Sequence, residues 1–374
     1  MPLFDVYPLY DVEPTKARGV YVYDQKGTKY LDLYGGHAVI SIGHGHRTYK
    51  RMLRKQLHRI GFYSNAVQNP LQEKLSAEIN RQSGCTSYEL FMCSSGAEAN
   101  ENALKLASFH TGKSRVIAFD NAFHGRTSAA VAATDNKNIQ APLNNQQQVD
   151  FIPFNDADAL ENELAKGDVC AVIFEAIQGV GGLDEPSAAF VAQMETLCET
   201  HQTCLIADEV QSGFGRSGDF FAFQKYNINP HIISIAKGMG NGFPVGGILV
   251  NPVIKAKYGL LGTTFGGNHL ACSASLAVLQ VLEKEKLYDH AKAMGKYFVE
   301  KAKELPFVKT IKGRGLMLGL EFENEVGALR KELIFKHRIF TGGSSNKNLI
   351  RILPPLNVKQ KHLDQLFTAL NACH

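Results

Sequence analysis

The feature that most restricts the fold is a regular alternation of short apolar runs and helical patterns between about residues 85 and 250. The apolar runs are ELFMC (89–93), RVIAFD (115–120), VCAVIFEA (169–176), TCLIADEV (203–210), HIISIA (231–236) and GGILV (246–250). This alternation predicts an α/β fold with a largely parallel sheet that helices cover on both faces. Ligands bind beyond the carboxyl ends of such strands, so polar residues there are the first candidates for a site.

The last third of the chain has a different pattern. Two helical stretches lead into VKTIKGRGLMLGLEF (308–322), which predicts two strands about a glycine turn. We therefore expect a small α+β domain there, joined by the hairpin-like segment YVYDQKGTKYLDL (21–33). The predicted division is an N-terminal segment at 1–45, a large domain at 46–265 and a small domain at 266–374.

Composition narrows the class of protein. The 374 residues carry a net charge of +4 without a block of Lys and Arg, so we expect no nucleic-acid partner. No apolar run reaches the roughly 20 residues of a membrane helix, and the N-terminus does not resemble a secretory signal. The seven cysteines are scattered without a CxxC pair, which is typical of reduced thiols in a cytoplasmic protein and predicts no metal site.

Lys237 follows a predicted strand and opens the glycine-rich stretch KGMGNGFPVGG (237–247). An amine at a strand end that faces a cleft is partly desolvated, which lowers its pKa and favours the nucleophilic form. Such a lysine can form a Schiff base. The same stretch is equally consistent with a loop that binds an anion, so both interpretations stay open from these residues alone.

Asp208 ends another apolar run, in IADEVQSGFGR (206–216). A buried carboxylate requires a cationic or hydrogen-bonding partner. A protonated pyridine nitrogen would satisfy it, and so would a structural ion pair. Gln211, three residues later, is placed either to bond a phenolic oxygen or simply to begin a polar loop.

Two stretches have the character of anion sites. Ser95, Gly96 and Ala97 begin a helical pattern, where free backbone N–H groups and the helix dipole favour a phosphate. An ordinary serine N-cap explains the same residues. The stretch GTTFGGN (262–268) offers a second Gly/Thr-rich loop, and that pattern is weak alone.

Phe123 and Arg126 follow the strand RVIAFD, and Arg351 lies in NLIRILPP (348–355). A strand-end aromatic can stack on a planar ring, and an arginine can bind a carboxylate through two parallel hydrogen bonds. Each residue taken singly has an ordinary explanation, as a core ring or as a solvated charge. Together with Lys237 and Asp208 they are the parts that hold pyridoxal phosphate and an amino-acid carboxylate.

The chain resembles the class III, ornithine-type pyridoxal-phosphate aminotransferases, and within them the acetylornithine branch. The likeness extends from YLDLYGGHAVISIGHGH (30–46) to RILPPL (351–356). It includes, in the family's order, SSGAEANENALKLA, AFHGRT, EAIQGVGG, ADEVQSGFGRSG, AKGMGNGFPVGG and TTFGGN. The resemblance implies the type I aminotransferase fold, with a mostly parallel seven-stranded sheet in the large domain, and a homodimer with shared active sites.

The resemblance also implies residue roles. Lys237 is the covalent anchor of the cofactor and moves protons, and Asp208 pairs with the pyridine nitrogen. The remaining implied cofactor contacts are Ser95, Gly96 and Ala97 at the phosphate, Phe123 on the ring, His124 in the same motif, Gln211 at the phenolic oxygen, and Thr264 at the phosphate of the other subunit. Arg126 is implied for the α-carboxylate of the ornithine-type substrate, and Arg351 for a carboxylate of the dicarboxylic partner.

The sequence departs from the family pattern in EAIQGVGG, where Ala176 and Val180 replace a proline and a second glutamate. In relatives that glutamate can pair with the arginine that matches Arg351. Its loss predicts an Arg351 that remains available as a cation and favours a substrate with a negative charge nearby, N-succinyl rather than N-acetyl. Glu175, the retained acid, is expected to orient Arg126 or His37.

His37 stands where ornithine aminotransferases have a substrate-binding tyrosine, and it is interpreted either as a substrate contact or as an interface histidine. The expected function is a cytoplasmic N-acylornithine 5-aminotransferase of arginine biosynthesis. It transfers the amino group to 2-oxoglutarate by a ping-pong reaction. The alternatives are an aminotransferase for ornithine or 4-aminobutyrate, an aminomutase, and a non-enzymatic ligand sensor.

Overall fold

The computed structural model describes residues 3–374. Its strands are β1 Pro14–Arg18, β2 Tyr21–Asp24, β3 Lys29–Asp32, β4 Glu89–Cys93, β5 Arg115–Phe119, β6 Val149–Ile152, β7 Val169–Phe174, β8 Cys204–Asp208, β9 Ile232–Ile235, β10 Gly246–Val250, β11 Thr310–Arg314, β12 Met317–Glu321, β13 Ile339–Phe340 and β14 Leu349–Ile352.

The helices are α1 Gly35–Ala38, α2 Arg47–Leu57, α3 Pro70–Ser83, α4 Gly96–Thr111, α5 Ser128–Ala132, α6 Ala157–Leu164, α7 Ala188–Thr200, α8 His269–Lys284, α9 Leu287–Ala302, α10 Gly327–Phe335 and α11 Gln360–Cys373. Short 3₁₀ turns occur at Lys137–Ile139, Pro142–Gln146, Ala222–Tyr226 and Lys237–Met239.

A seven-stranded sheet forms the main layer, in the order β4-β10-β9-β8-β7-β5-β6. All of its pairings are parallel except those of β10, which runs antiparallel to both β4 and β9. Strands β5, β7, β8 and β9 are buried along their whole length, as strands covered on both faces must be. The predicted α/β fold and seven-stranded sheet are confirmed, although the short edge strand β6 was not foreseen.

Helix α4 lies on this sheet against β7, β8, β9 and β10. Its sheet-facing side carries small residues, including Ala99, Ala103 and Ala107, which let the helix approach closely. Ser95 caps the first turn, because its Oγ accepts a hydrogen bond of 3.2 Å from the Glu98 N–H. Gly246 permits this approach, since a Cβ there would lie 2.6 Å from the Ser95 carbonyl oxygen.

Two smaller sheets complete the fold. Strands β2 and β3 form the expected antiparallel hairpin, and β3 pairs in parallel with β13 from the C-terminal part of the chain. Strands β11, β12 and β14 form an antiparallel sheet, with β11 and β12 at the predicted glycine turn. Helix α8, which begins at His269, packs against α2 and α3. The domain boundaries at 45 and 265 stay a prediction.

Arg216 joins these layers from a fully buried position. Its Nη1 donates to the carbonyl oxygens of Leu316 (3.1 Å) and Pro354, and its Nη2 donates to that of Ile40 (3.4 Å). Burial without a directly paired carboxylate lowers the pKa of this guanidinium to about 9. Among residues 3–374, no helix is both long and apolar enough to cross a membrane.

Candidate active site

A cavity of about 410 Å³ opens where β4, β5, β8 and β9 end and β10 begins. Of the thirteen residues that the sequence singles out, ten line it: Ser95, Gly96, Ala97, Phe123, His124, Arg126, Glu175, Asp208, Gln211 and Lys237. His37, Thr264 and Arg351 do not. The cavity therefore lies at the carboxyl ends of the parallel strands, as the fold class predicts.

Lys237 follows β9 and begins a 3₁₀ turn. Its backbone has a φ of +44°, in the left-handed region that non-glycine residues occupy at a cost of about 1–3 kcal/mol. Burial of the amine lowers its pKa, and Arg351 acts in the same direction against the opposing effects of Asp208 and Glu175. A lysine in this setting has a larger neutral, nucleophilic fraction than a surface lysine.

Asp208, only 5% exposed, is held by three hydrogen bonds. Its Oδ2 accepts from Asn100 Nδ2 and from His124 Nδ1, both at 2.7 Å, and its Oδ1 accepts from the Val210 N–H at 3.0 Å. His124 Nε2 is buried and has no hydrogen-bond partner among the described residues. These three donors fix the orientation of the carboxylate at the cavity wall.

Sequence reasoning missed Asn100. It lies on α4 with no solvent exposure, and its Nδ2 also donates to the His124 carbonyl oxygen at 2.7 Å. The sequence could have indicated Asn100, because it is a polar residue on the small-residue face of the helix, one position from Ala99 and three from Ala103. A buried amide on such a face must have polar partners.

The first turn of α4 supplies the free N–H groups expected of a phosphate site. Two glycines keep it open. A Cβ at Gly96 would lie 2.5 Å from Val210 Cγ1, and one at Gly125 would lie 2.8 Å from Ala97 Cβ. Gly125 also has a φ of +146°, which side chains rarely adopt. This small-residue surface at a helix N-terminus fits a phosphate group.

Glu175 makes no hydrogen bond or ion pair with Arg126 or His37 among the described residues, so the expected orienting role is wrong. Its Oε1 accepts from the Phe123 N–H (3.0 Å) and its Oε2 from the Gly179 N–H (2.7 Å). Burial raises the pKa of this carboxyl group. Glu175 instead fixes the backbone that carries Phe123 at the cavity wall.

The two arginines differ in exposure. Arg126 is exposed at the cavity mouth, and its side chain has no hydrogen bond or ion pair within residues 3–374. Arg351 is 3% exposed and lies behind the wall, where its Nη1 donates to the Gly179 carbonyl oxygen (2.5 Å) and to Gln211 Oε1 (3.2 Å). Its Nε donates to the Gly343 carbonyl oxygen at 2.5 Å. Burial lowers the pKa of Arg351, and no described carboxylate pairs with it.

His37 lies beside this wall in a left-handed turn, where residues 35 to 38 have φ values of +54° to +66°. Its Nδ1 bonds the Tyr34 hydroxyl, and its carbonyl oxygen accepts from Gln211 Nε2 at 3.4 Å. Partial burial and the cations Arg351 and Lys237 lower its pKa. Thr264 is exposed and lies outside the cavity of its own chain.

The arrangement brings together a desolvated amine, a fixed carboxylate and a helix N-terminus within one cavity. An aromatic wall at Phe123 and two arginines without carboxylate partners complete it. A flat cationic ring with a phosphate arm matches these groups: the ring nitrogen would pair with Asp208, the phosphate would meet α4, and the Lys237 amine would reach an aldehyde. These residues therefore fit pyridoxal phosphate, and the arginines fit carboxylate-bearing substrates.

Comparison with known proteins agrees with this geometry. The family model for class-III aminotransferases matches residues 6–373. The acetylornithine aminotransferase of Bacillus subtilis is 38% identical over 98% of this chain and 96% of its own length. That of Aquifex aeolicus is 37% identical over 98% of both chains.

Among solved structures, the ornithine aminotransferase of Toxoplasma gondii superposes with a TM-score of 0.91. It has 26% identity over 99% of this chain and 93% of its own. A second structure of that protein has partial occupancy of pyridoxal phosphate at its active site. A family match over almost the whole chain, together with the cavity described above, identifies this protein as a class-III aminotransferase, a pyridoxal-phosphate-dependent transaminase.

Proposed function

We propose that this transaminase removes the δ-amino group of an N-acylornithine and transfers it to 2-oxoglutarate, in the cytoplasm and as a step of arginine biosynthesis. The similarity to the acetylornithine aminotransferases of B. subtilis and A. aeolicus supports an acylated ornithine as the substrate. The observation that carries the proposal is a pair of cations without a carboxylate partner: Arg126 at the mouth of the cavity that holds Lys237, and Arg351 behind the wall of that cavity. A dicarboxylic acceptor supplies one carboxylate to each.

The proposed roles at the cofactor follow from position. Pyridoxal phosphate, when bound, supplies the electron-withdrawing ring that acidifies the C–H bond beside the substrate nitrogen. Asp208 would hold the ring nitrogen in its protonated form, and Gln211 would donate to the phenolic oxygen. Phe123 would pack on the ring face, and the first turn of α4 would bind the phosphate.

Lys237 is the proposed proton carrier. With the cofactor bound, its Nζ would take a proton from the substrate's δ-carbon as a general base and then deliver it, as a general acid, to the cofactor carbon that bears the nitrogen. The lowered pKa of this amine suits that task, because the neutral form must be present when the proton is removed. Arg126 binds the α-carboxylate of the acylornithine, which places the δ-amine deep in the cavity next to Lys237.

The acyl group is proposed to carry a negative charge. Val180 lines the cavity where relatives have a glutamate, and no described carboxylate neutralises Arg351. A buried cation that lacks a carboxylate partner favours a ligand that brings one. For N-succinylornithine to use this cation, Arg351 must exchange its bond to Gln211 for one to the ligand.

A homodimer is also proposed. Thr264 is exposed and does not line the cavity of its own chain, which is expected if it serves the site of a second subunit. Near it, the exposed rings of Phe62 and Phe265 lie 5.5 Å apart between centroids, and Tyr258 is fully exposed. Exposed aromatic side chains of this kind are typical of a subunit interface. Sedimentation at micromolar concentration checks the mass, and a monomer would contradict the shared site.

The function is tested by following glutamate formation from 2-oxoglutarate with a panel of amines. We expect kcat/KM to be highest for N-acylornithines, and higher for N-succinylornithine than for N-acetylornithine. A preference for N-acetylornithine would remove the proposed contact between Arg351 and the acyl group but retain the reaction. Equal or better turnover of free ornithine or 4-aminobutyrate would overturn the N-acylornithine assignment. The full-length likeness to the T. gondii ornithine aminotransferase makes ornithine the main competitor.

A further inference from the structure

A group of metal-binding side chains lies outside the active site, where helices α10 and α11 end. Glu332 is in the last turn of α10, His337 is two residues beyond that helix, and Cys373 is the last residue of α11. One donor atom from each lies within 4.8 Å of the other two. All three residues are partly buried, and in the described part of the chain they are the only trio of this kind.

The three donors are a carboxylate oxygen, an imidazole nitrogen and a thiol sulfur. This mixture is found in zinc sites, whose ligands lie about 2.0–2.3 Å from the metal and therefore about 3.5 Å from one another. Because the donor atoms lie within 4.8 Å of one another, the separations need to contract by at most roughly 1.3 Å, which side-chain rotation at partly buried positions provides. We propose that Glu332, His337 and Cys373 bind Zn²⁺, with water as the fourth ligand.

Two further observations support a cation here. His337 Nε2 is buried and makes no hydrogen bond with any described residue, which is unusual for a buried polar atom. The carboxyl ends of α10 and α11 carry the negative ends of two helix dipoles to the same place. The transamination site does not need either feature. The spacing of the cysteines in the sequence did not indicate a metal site here.

Lys336 is the competing cation. Its Nζ lies 2.9 Å from Glu332 Oε1, but its side chain is 63% exposed, and an ion pair of that kind is weak. Zn²⁺ displaces this ammonium and the Cys373 thiol proton, which passes to solvent as the Zn–S bond forms. The bound metal links the C-terminal helix to α10 and raises the stability of the folded chain.

The test uses the holoenzyme, free of any histidine tag and stripped of metal with a chelator. Co²⁺ is titrated as a coloured substitute for Zn²⁺, and its ligand-field bands are read at wavelengths beyond the cofactor absorption. We expect one Co²⁺ per chain, thiolate-type intensity, and loss of the bands when Zn²⁺ is added. Cys373→Ser and His337→Gln are expected to weaken binding at least tenfold, with aminotransferase activity retained as proof of folding.

Two controls sharpen the result. Cys85→Ser changes another partly buried thiol and is expected to leave Co²⁺ binding unchanged. Lys336→Met removes the competing ammonium and is expected to tighten binding several-fold. The zinc assignment is overturned if the ligand-field bands are absent, or if wild type and Cys373→Ser bind Co²⁺ equally.

Discussion

Asn100→Leu tests how strongly the structure behind Asp208 governs cofactor binding. The leucine has a similar size but removes the 2.7 Å bonds from Nδ2 to Asp208 Oδ2 and to the His124 carbonyl oxygen. A hydrogen bond to a charged group contributes about 1.5–3 kcal/mol, and each 1.4 kcal/mol is about tenfold in affinity. We therefore expect the dissociation constant for pyridoxal phosphate to rise between about 10-fold and 150-fold.

The affinity is measured by titrating apoenzyme with pyridoxal phosphate and following the absorbance of the bound form. Asn102→Leu is the matched control. It lies on the same helix, and its Nδ2 donates only to the Glu98 carbonyl oxygen, at 2.8 Å, within its own helix. This control is expected to stay within about twofold of wild type, because it removes no contact to Asp208.

The reasoning is refuted if Asn100→Leu also binds the cofactor within about twofold of wild type while remaining folded. Asp208 would then be oriented sufficiently by His124 and by the Val210 N–H alone. A comparison of kcat at saturating cofactor separates a loss of binding from a loss of proton transfer.

Three further outcomes are expected. Gly96→Ala places a Cβ 2.5 Å from Val210 Cγ1, so overpacking is expected to lower the free energy of unfolding by about 1–3 kcal/mol. A second substitution, Val210→Ala, should restore the thermal stability. Arg351→Gln removes the buried guanidinium that donates to the Gly179 carbonyl oxygen and to Gln211 Oε1; KM for 2-oxoglutarate should then rise more than KM for N-acetylornithine, which offers Arg351 no second carboxylate, and an equal effect on both would contradict its proposed role. Burial raises the pKa of Glu209 to about 7 from 4.5, so the folded chain retains a proton that the unfolded chain releases. The free energy of unfolding should therefore fall by about 3 kcal/mol as the pH rises from about 4.5 through 7, a dependence that chemical denaturation should find absent in Glu209→Gln.

The amino-acid sequence alone was sufficient for six of the seven strands of the main sheet and for the strand-end residues, whereas the edge strand β6 was not foreseen. Buried parallel strands need continuous apolar runs, so β5, β7, β8 and β9 could be recognised in the sequence. The ends of those runs located Asp208 and Lys237. The small residues around Gly96 likewise marked the start of α4. These features are local, because the hydrophobic periodicity of a strand or helix can be recognised from residues that are adjacent in the sequence.

Only the tertiary structure decided which side chains meet. Asn100 and Asp208 are 108 positions apart, and Arg351 and Gly179 are 172 apart. No local pattern specifies such pairs, because one depends on how α4 packs against the main sheet and the other on how β14 approaches the segment that follows β7. The same packing directs Glu175 to two backbone N–H groups rather than to an arginine, and gives Lys237 a left-handed backbone. The sequence thus determined the chemical groups and the edge of the sheet at which they lie, whereas long-range packing determined their partners.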